Sequence, residues 1–388
     1  MIDHEIMLSD TLKDIKPSGI RKFFDLLSDM GDVTALTVGQ PDFVTPWHIR
    51  EAAIQSLERG HTYYTSNSGL PELRLEISRY MKRRFDLDYS AEEALVTVGG
   101  SEAIDVAIRS LVNPGDEVIV PTPSFVCYEP IARMAGAKVV TINTKAENGF
   151  KLTADELRGA ITERTKLLVL PYPNNPTGAI LERDELEALA KVIRDTNIAI
   201  LSDEIYAELT FGKRHISIAS IDGMRERTII ASGFSKAYAM TGWRLGYLVG
   251  PKPWIKQMTK LHQYAIMCAP TASQFAAVEA LQNGDSDIEQ MRAEYNRRRV
   301  FIAEGLSKIG LHVVMPEGAF YIYPYIGGFG LSSEEFCQRL LMEEKCAIVP
   351  GTAFGECGEG YARISYAYSV RHITEALEKI ERFVKKLK

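Results

Sequence analysis

The sequence predicts an α/β fold: a large domain with a mostly parallel central sheet flanked by helices, and a smaller α+β domain built from the N-terminal arm and the C-terminal segment. Three observations carry this. From about residue 93 to 250, short apolar runs rich in β-branched residues alternate with longer helical patterns, as in a parallel sheet covered on both faces. The last hundred residues lose that alternation. The length of 388 residues also exceeds one folding unit of about 150 residues. The expected division is 46–284 for the large domain, and 1–45 with 285–388 for a discontinuous small one.

In chain order, the first fifty residues hold one helix-like piece, Ile20–Met30, then an extended piece ending in Gly39-Gln40-Pro41-Asp42. The expected strands are Ala94–Val98, Glu117–Val120, Lys138–Ile142, Lys166–Leu170, Ile198–Leu201, Thr228–Ala231 and Gly246–Gly250. Between them lie helical patterns such as Ser101–Val112 and Arg183–Asp195. In the first of these, Ile104, Ala107, Ile108 and Leu111 share one face. Thr153 and Glu156 have the spacing of a capping box before a short helix. A charged helix around Asp287–Lys308 then opens the C-terminal unit. It is followed by His312–Val314, Ala319–Tyr323, Ser332–Glu344, Ala347–Val349, Ala362–Tyr366 and Val370–Leu387. A cleft is expected where the two units meet.

Composition narrows the function classes. The chain is 46% hydrophobic and 25% charged, as in an ordinary soluble globular protein. A net charge of −6 argues against a dedicated nucleic-acid binder. No apolar stretch approaches about 18 residues, so no membrane span is expected. The N-terminal residues lack the basic and apolar regions of a secretory signal. The five cysteines are odd in number and lack C-x-x-C spacing, which points to free thiols in a reducing compartment rather than a disulfide frame or a metal site. The cytoplasm is the expected location.

Five short segments carry candidate chemistry, each at the end of an expected strand. Ser232-Gly233-Phe234-Ser235-Lys236, with Arg244 eight residues on, brings a lysine, a hydroxyl and a guanidinium to the ligand-binding edge of a parallel sheet. In Ser202-Asp203-Glu204-Ile205-Tyr206, an acid at a buried strand end needs a cation or hydrogen-bond donors. Pro173-Asn174-Asn175-Pro176-Thr177-Gly178 is a rigid turn from which one amide can enter the cleft. Thr97-Val98-Gly99-Gly100-Ser101-Glu102 runs through two glycines into a helix whose N-terminal amides can cup a phosphate. Phe125 can stack on a planar ring. Alone, each has an ordinary reading: a solvated lysine, a helix cap, a bare turn, a common strand-to-helix turn, a core aromatic.

Together, in this order, the Asn-Pro-Thr-Gly turn, Ser-Asp-Glu-Ile-Tyr, Gly-Phe-Ser-Lys and Thr241-Gly242-Trp243-Arg244-Leu245-Gly246 resemble the fold-type-I aminotransferases of class I, over essentially the whole chain. Within that family the resemblance is to the bacterial branch of N-acetyl-diaminopimelate, aromatic and broad-range enzymes. It implies the cofactor pyridoxal 5′-phosphate, held covalently by Lys236, which then shuttles the substrate proton. It implies Asp203 against the ring nitrogen, Asn175 and Tyr206 at the phenolic oxygen, and Phe125 on the ring. Gly100, Ser101, Glu102, Ser235 and Arg244 would surround the phosphate. Tyr64 would reach the phosphate of a neighbouring subunit, which implies a homodimer with shared sites. Arg363, in Tyr361-Ala362-Arg363-Ile364-Ser365, would clamp the substrate α-carboxylate bidentately, with Gly39 leaving room for it.

The implied reaction is ping-pong transfer of an amino group from an L-amino acid to a 2-oxo acid, with glutamate and 2-oxoglutarate as one pair. Ser101 stands where some aspartate-preferring relatives carry a basic residue, which argues against a strict dicarboxylate specialist. Gly318–Tyr323 adds aromatic character if it nears the cleft. Three rivals share the fold: a carbon–sulfur β-lyase, a racemase or decarboxylase, and a non-enzymatic cofactor sensor. The carboxylate clamp speaks against decarboxylation. A DNA-binding sensor needs an added basic domain, for which the sequence leaves no space before its enzyme-like pattern begins.

Overall fold

The computed structural model describes residues 31–388 together with 4, 6–15, 17 and 19. The helix expected at Ile20–Met30 lies outside the described residues. The chain first pairs at β1 (Thr34–Ala35) and then enters the central unit. There β2 (Ala94–Thr97), β3 (Glu117–Thr122), β4 (Lys138–Asn143), β5 (Thr165–Leu170), β6 (Ala199–Asp203), β7 (Thr228–Gly233) and β8 (Gly246–Val249) form one sheet in the order β2-β8-β7-β6-β5-β3-β4. Strand β8 runs antiparallel to both neighbours, and the remaining pairings are parallel.

The apolar runs are continuous because both faces of the sheet are covered. Alternate residues of a strand point to opposite faces. Val118, Leu167, Leu201 and Ile229 pack with Ala103, Ala107 and Ile108 of helix Gly99–Leu111. Ile119, Leu168 and Ile200 pack on the other side with Leu186, Leu189 and Ile193 of helix Arg183–Ile193. Each of these Val, Leu and Ile side chains contributes about 1.5–3 kcal/mol when fully buried. Several strands run one or two residues past their apolar runs, into Thr122, Ser202-Asp203 and Ser232-Gly233. Ladder pairing satisfies the backbone there, as with Asp203 opposite Ala231, so the strand ends can carry polar side chains toward one edge.

The rest of the chain builds a second core. β1 pairs in parallel with β10 (Cys346–Ala347). A three-stranded sheet orders β11 (Val349–Pro350), β12 (Ala362–Ser365) and β9 (Tyr321–Ile322). Helices Asp285–Ile309, Ser333–Glu344 and Val370–Leu387 cover them. Leu36 of the arm is buried with Ile302, Phe336, Leu340, Ile364 and Phe383, so the N-terminal arm and the C-terminal segment share apolar contacts. The Thr153–Glu156 capping box forms, with the Thr153 N–H donating to Glu156 Oε2 at 3.0 Å and the Glu156 N–H to Thr153 Oγ1 at 3.3 Å.

Two details differ from expectation. The run Ala347–Val349 splits at Ile348, so that β10 and β11 belong to different sheets. His312–Val314 forms one isolated bridge, between His312 and Tyr325. Pro316 and Pro324 stand close by, and proline removes the N–H that a longer ladder would need. Among the described residues, no helix is long and apolar enough to cross a membrane.

Candidate active site

The C-terminal ends of the parallel strands open onto one cavity of about 300 Å³. It collects residues that sequence reasoning had found separately. Phe125 comes from the loop after β3, Asn175 from the turn after β5, and Asp203 and Tyr206 from the end of β6 and the turn beyond. Ser235 and Lys236 follow β7. Gly100 and Ser101 come from the helix start after β2, Arg244 from just before β8, Arg363 from β12, and Gly39 from the arm.

Lys236 sits on the turn that follows β7, where its Nζ donates to the Gly39 carbonyl at 2.7 Å. Burial, reinforced by the positive charges of Arg363 and Arg244 and opposed by Asp203, brings the ammonium pKa down to about 8. The side chain is thus a usable nucleophile and proton carrier near neutral pH.

Asp203 is the last residue of β6 and is 7% exposed. Its carboxylate accepts from the Tyr128 hydroxyl at 2.6 Å and from the Ile205 N–H at 3.2 Å. Burial pushes its pKa up, against the pull of the Tyr128 bond. A carboxylate whose folded pKa is raised is destabilising above the ordinary carboxylate range, because the unfolded chain ionises there more easily. Asp203→Asn, which keeps an acceptor for Tyr128, is therefore expected to leave the cofactor-free protein at least as heat-stable at pH 7. If Asp203 faces a cationic ring, as the resemblance implies, the same change removes one partner of a buried charge pair. It should lower kcat/KM by about 10²-fold or more. Thermal melts of the cofactor-free protein and steady-state kinetics check the two halves. A cofactor-free variant that melts lower would contradict the first.

Asn174 and Asn175 divide the work of their turn. Asn174 Oδ1 accepts from the N–H and the hydroxyl of Thr177, at 3.1 and 2.8 Å, and shapes the backbone. Gly178, at φ +72°, packs so tightly that a Cβ would lie 2.4 Å from Pro316 Cβ. Asn175 faces the cavity, where its Oδ1 accepts from Arg363 Nη1 at 3.0 Å. Arg363 is 3% exposed. Its Nη2 donates to the Thr37 carbonyl at 2.6 Å and its buried Nε has no partner. Its guanidinium lies between the rings of Tyr321 and Phe354, 4.5 and 4.8 Å from their centroids. Burial lowers its pKa. Among the described residues only neutral oxygens hold it, so it is poised for a carboxylate.

Beside the cavity-lining Arg244, Gly99 (φ +80°) starts helix Gly99–Leu111, and a Cβ there would meet Arg244 Nη2 at 2.6 Å. Arg244 itself adopts φ +51°, a conformation that costs of order 1–3 kcal/mol in a non-glycine residue and is typical of functional sites. Its Nη1 donates to the Thr241 carbonyl at 2.9 Å. Gly100, Ser101 and Ser235 line the cavity with Arg244, so the helix amides, two hydroxyls and this guanidinium offer donors that can receive an anion.

Two expected site residues stand elsewhere. Glu102 does not line the cavity. Its carboxylate accepts from the Val98 N–H and meets His262 Nδ1 at 2.6 Å, bracing the helix start from behind. Tyr64 lies outside this cavity and is 77% exposed. Sequence reasoning missed Tyr128, three residues after Phe125, and left Tyr321 conditional. Tyr321 lines the cavity, and its Oη lies 2.8 Å from that of Tyr206.

Residues 31–380 match the model of the family "Aminotransferase class I and II". The chain is 52% identical over 380 residues to YugH of Bacillus subtilis (strain 168), with 98% of each chain covered; that relative's name is of an aminotransferase and gives no substrate. It is 46% identical over 383 residues to a probable N-acetyl-LL-diaminopimelate aminotransferase of the same organism, covering 98% of this chain and 97% of the other. Among solved structures, the aromatic aminotransferase from Pyrococcus horikoshii OT3 superposes with a TM-score of 0.90 at 42% identity, covering 94% of this chain and 100% of that one. The chain thus belongs to the class I and II aminotransferases, enzymes that transfer amino groups with pyridoxal 5′-phosphate as cofactor.

Proposed function

We propose that the enzyme moves the amino group of an L-amino acid to a 2-oxo acid by a ping-pong route, with glutamate and 2-oxoglutarate as one pair and an aromatic or broad range of partners. The observation that carries this is one cavity holding both Lys236, with its lowered pKa, and Arg363, a buried guanidinium with no carboxylate partner among the described residues. The names of the relatives, and the aromatic rings at Phe125, Tyr206 and Tyr321, support the breadth of substrate.

The residues fit pyridoxal 5′-phosphate. Asp203, buried and among the described residues without a counter-ion in hydrogen-bond reach, would face the ring nitrogen. Gly100, Ser101, Ser235 and Arg244 would form an anion cup for the phosphate. Asn175 and Tyr206 would hold the phenolic oxygen, and Phe125 the ring face. When bound, the cofactor supplies an electron sink for the substrate Cα. Arg363 and Asn175 fix the substrate α-carboxylate and so choose which Cα bond stands ready to break. Lys236 Nζ, with its lowered pKa, would take the Cα proton and give it back.

The reading includes a homodimer in which Tyr64 completes the neighbouring site, supported by its exposure next to Tyr63, which is also exposed. It also includes the division into 46–284 and 1–45 with 285–388, supported by the core that Leu36 shares with the C-terminal helices. Five free cysteines support a reducing, cytoplasmic setting.

The test is an absorbance spectrum of the loaded enzyme with a panel of L-amino acids and no oxo acid. The near-visible band should bleach with the preferred donors and return on adding 2-oxoglutarate. If the band persists while pyruvate and ammonia accumulate, the enzyme is a lyase and the reading fails.

A further inference from the structure

Tyr321, on β9 and 1% exposed, stands where three parts of the site meet. Its Oη is 2.8 Å from Tyr206 Oη. Its ring lies against the Arg363 guanidinium. A Cβ on Gly39 would come within 2.2 Å of its Oη, so the arm that accepts from Lys236 runs directly against this hydroxyl. A phenol has one proton to give and lone pairs to receive. If Tyr206 donates into the cavity, it cannot also donate to Tyr321, and the bond between them must run from Tyr321 to Tyr206. A hydroxyl that receives a hydrogen bond gives a stronger one. The cation over its ring draws electron density from Tyr321 and makes it the better donor.

We propose that Tyr321 is a positioning residue: by donating to Tyr206 it aims the Tyr206 proton at the phenolic oxygen of the cofactor, and it links that bond to the occupancy of the Arg363 clamp. The inference rests on the reading that Tyr206 holds the phenolic oxygen. A carboxylate at Arg363 offsets the positive charge beside the Tyr321 ring and weakens its donation. The phenolic oxygen then becomes more basic, and the nitrogen joining Lys236 to the cofactor keeps its proton to higher pH. Substrate carboxylate binding would thus report to the reacting end of the cofactor through two hydroxyls.

Tyr321→Phe keeps the ring against Arg363 and removes the hydroxyl. The test is a pH titration of the near-visible band of the loaded enzyme, with and without saturating succinate, a carboxylate that has no amine to transfer. In Tyr321→Phe the midpoint should rise by roughly 0.4–1 pH unit, the loss of one hydrogen bond, and the further rise on adding succinate should shrink. Gly39→Ala, which pushes the Tyr321 hydroxyl aside without removing it, should move the midpoint the same way. If Tyr321→Phe and Gly39→Ala titrate like the unaltered enzyme while Tyr206→Phe shifts, the relay is wrong although Tyr206 holds the oxygen. If Tyr206→Phe leaves the midpoint unmoved as well, the placement of Tyr206 fails and the relay with it.

Discussion

Lys236→Ala is expected to lower amino-group transfer by about 10⁴-fold or more, since the proposed function has one side chain both attach the cofactor and carry the Cα proton. The variant should bind cofactor through the anion cup yet lack the near-visible band of the lysine-linked form. Rapid-mixing spectroscopy with a preferred amino acid separates this from simple loss of cofactor. The unaltered protein adds a pH signature. The free amine is the nucleophile, and its pKa lies near 8. The rate of cofactor attachment to the cofactor-free protein should therefore rise about tenfold per pH unit below 8 and level off above it. A band and turnover retained in Lys236→Ala would move the covalent attachment to another residue.

The second large effect is at Arg363. With Arg363 in the proposed carboxylate clamp, Arg363→Gln removes one partner of a buried ion pair once substrate is bound, a loss of about 3–5 kcal/mol, or roughly 10²–10⁴-fold in kcat/KM. Lysine should not restore it. An ammonium lacks the planar fork for a bidentate carboxylate and cannot fill the space between Tyr321 and Phe354 as a flat group. Because the Arg363 charge helps to depress the Lys236 ammonium, Arg363→Gln should also move the attachment profile of Lys236 to higher pH. Kinetics with amino acids and with the matching amines lacking a carboxylate isolate the clamp, since the penalty should vanish for the amines. An equal penalty for both would assign Arg363 a structural role.

Much of this site was legible in the sequence for one physical reason. In a parallel sheet the strands end on the same edge, so Lys236, Asp203, Asn175 and Gly100, each just past an apolar run, are brought together by topology. Their types then restrict the chemistry: a lysine, an acid, an amide and an amide-rich helix start suit a cationic ring with a phosphate tail. Glu102 shows the limit of reading by adjacency. It directly follows the phosphate turn in sequence, yet the helix rotates its carboxylate away to Val98 and His262.

Local pattern therefore determined the sheet, its order of helices and strands, and the residues at the strand ends, because apolar periodicity and strand termination are properties of neighbours in the chain. It could not reach the contacts that tune those residues. Tyr128 meets Asp203 across 75 positions, Tyr206 meets Tyr321 across 115, and Arg363 meets Asn175 across 188. In sequence, a tyrosine beside apolar residues reads as core whether or not its hydroxyl has a partner. Packing of the second core against the strand ends decided which buried hydroxyls face a carboxylate or another phenol, and whether the Arg363 guanidinium meets a counter-ion or, as here among the described residues, only neutral oxygens.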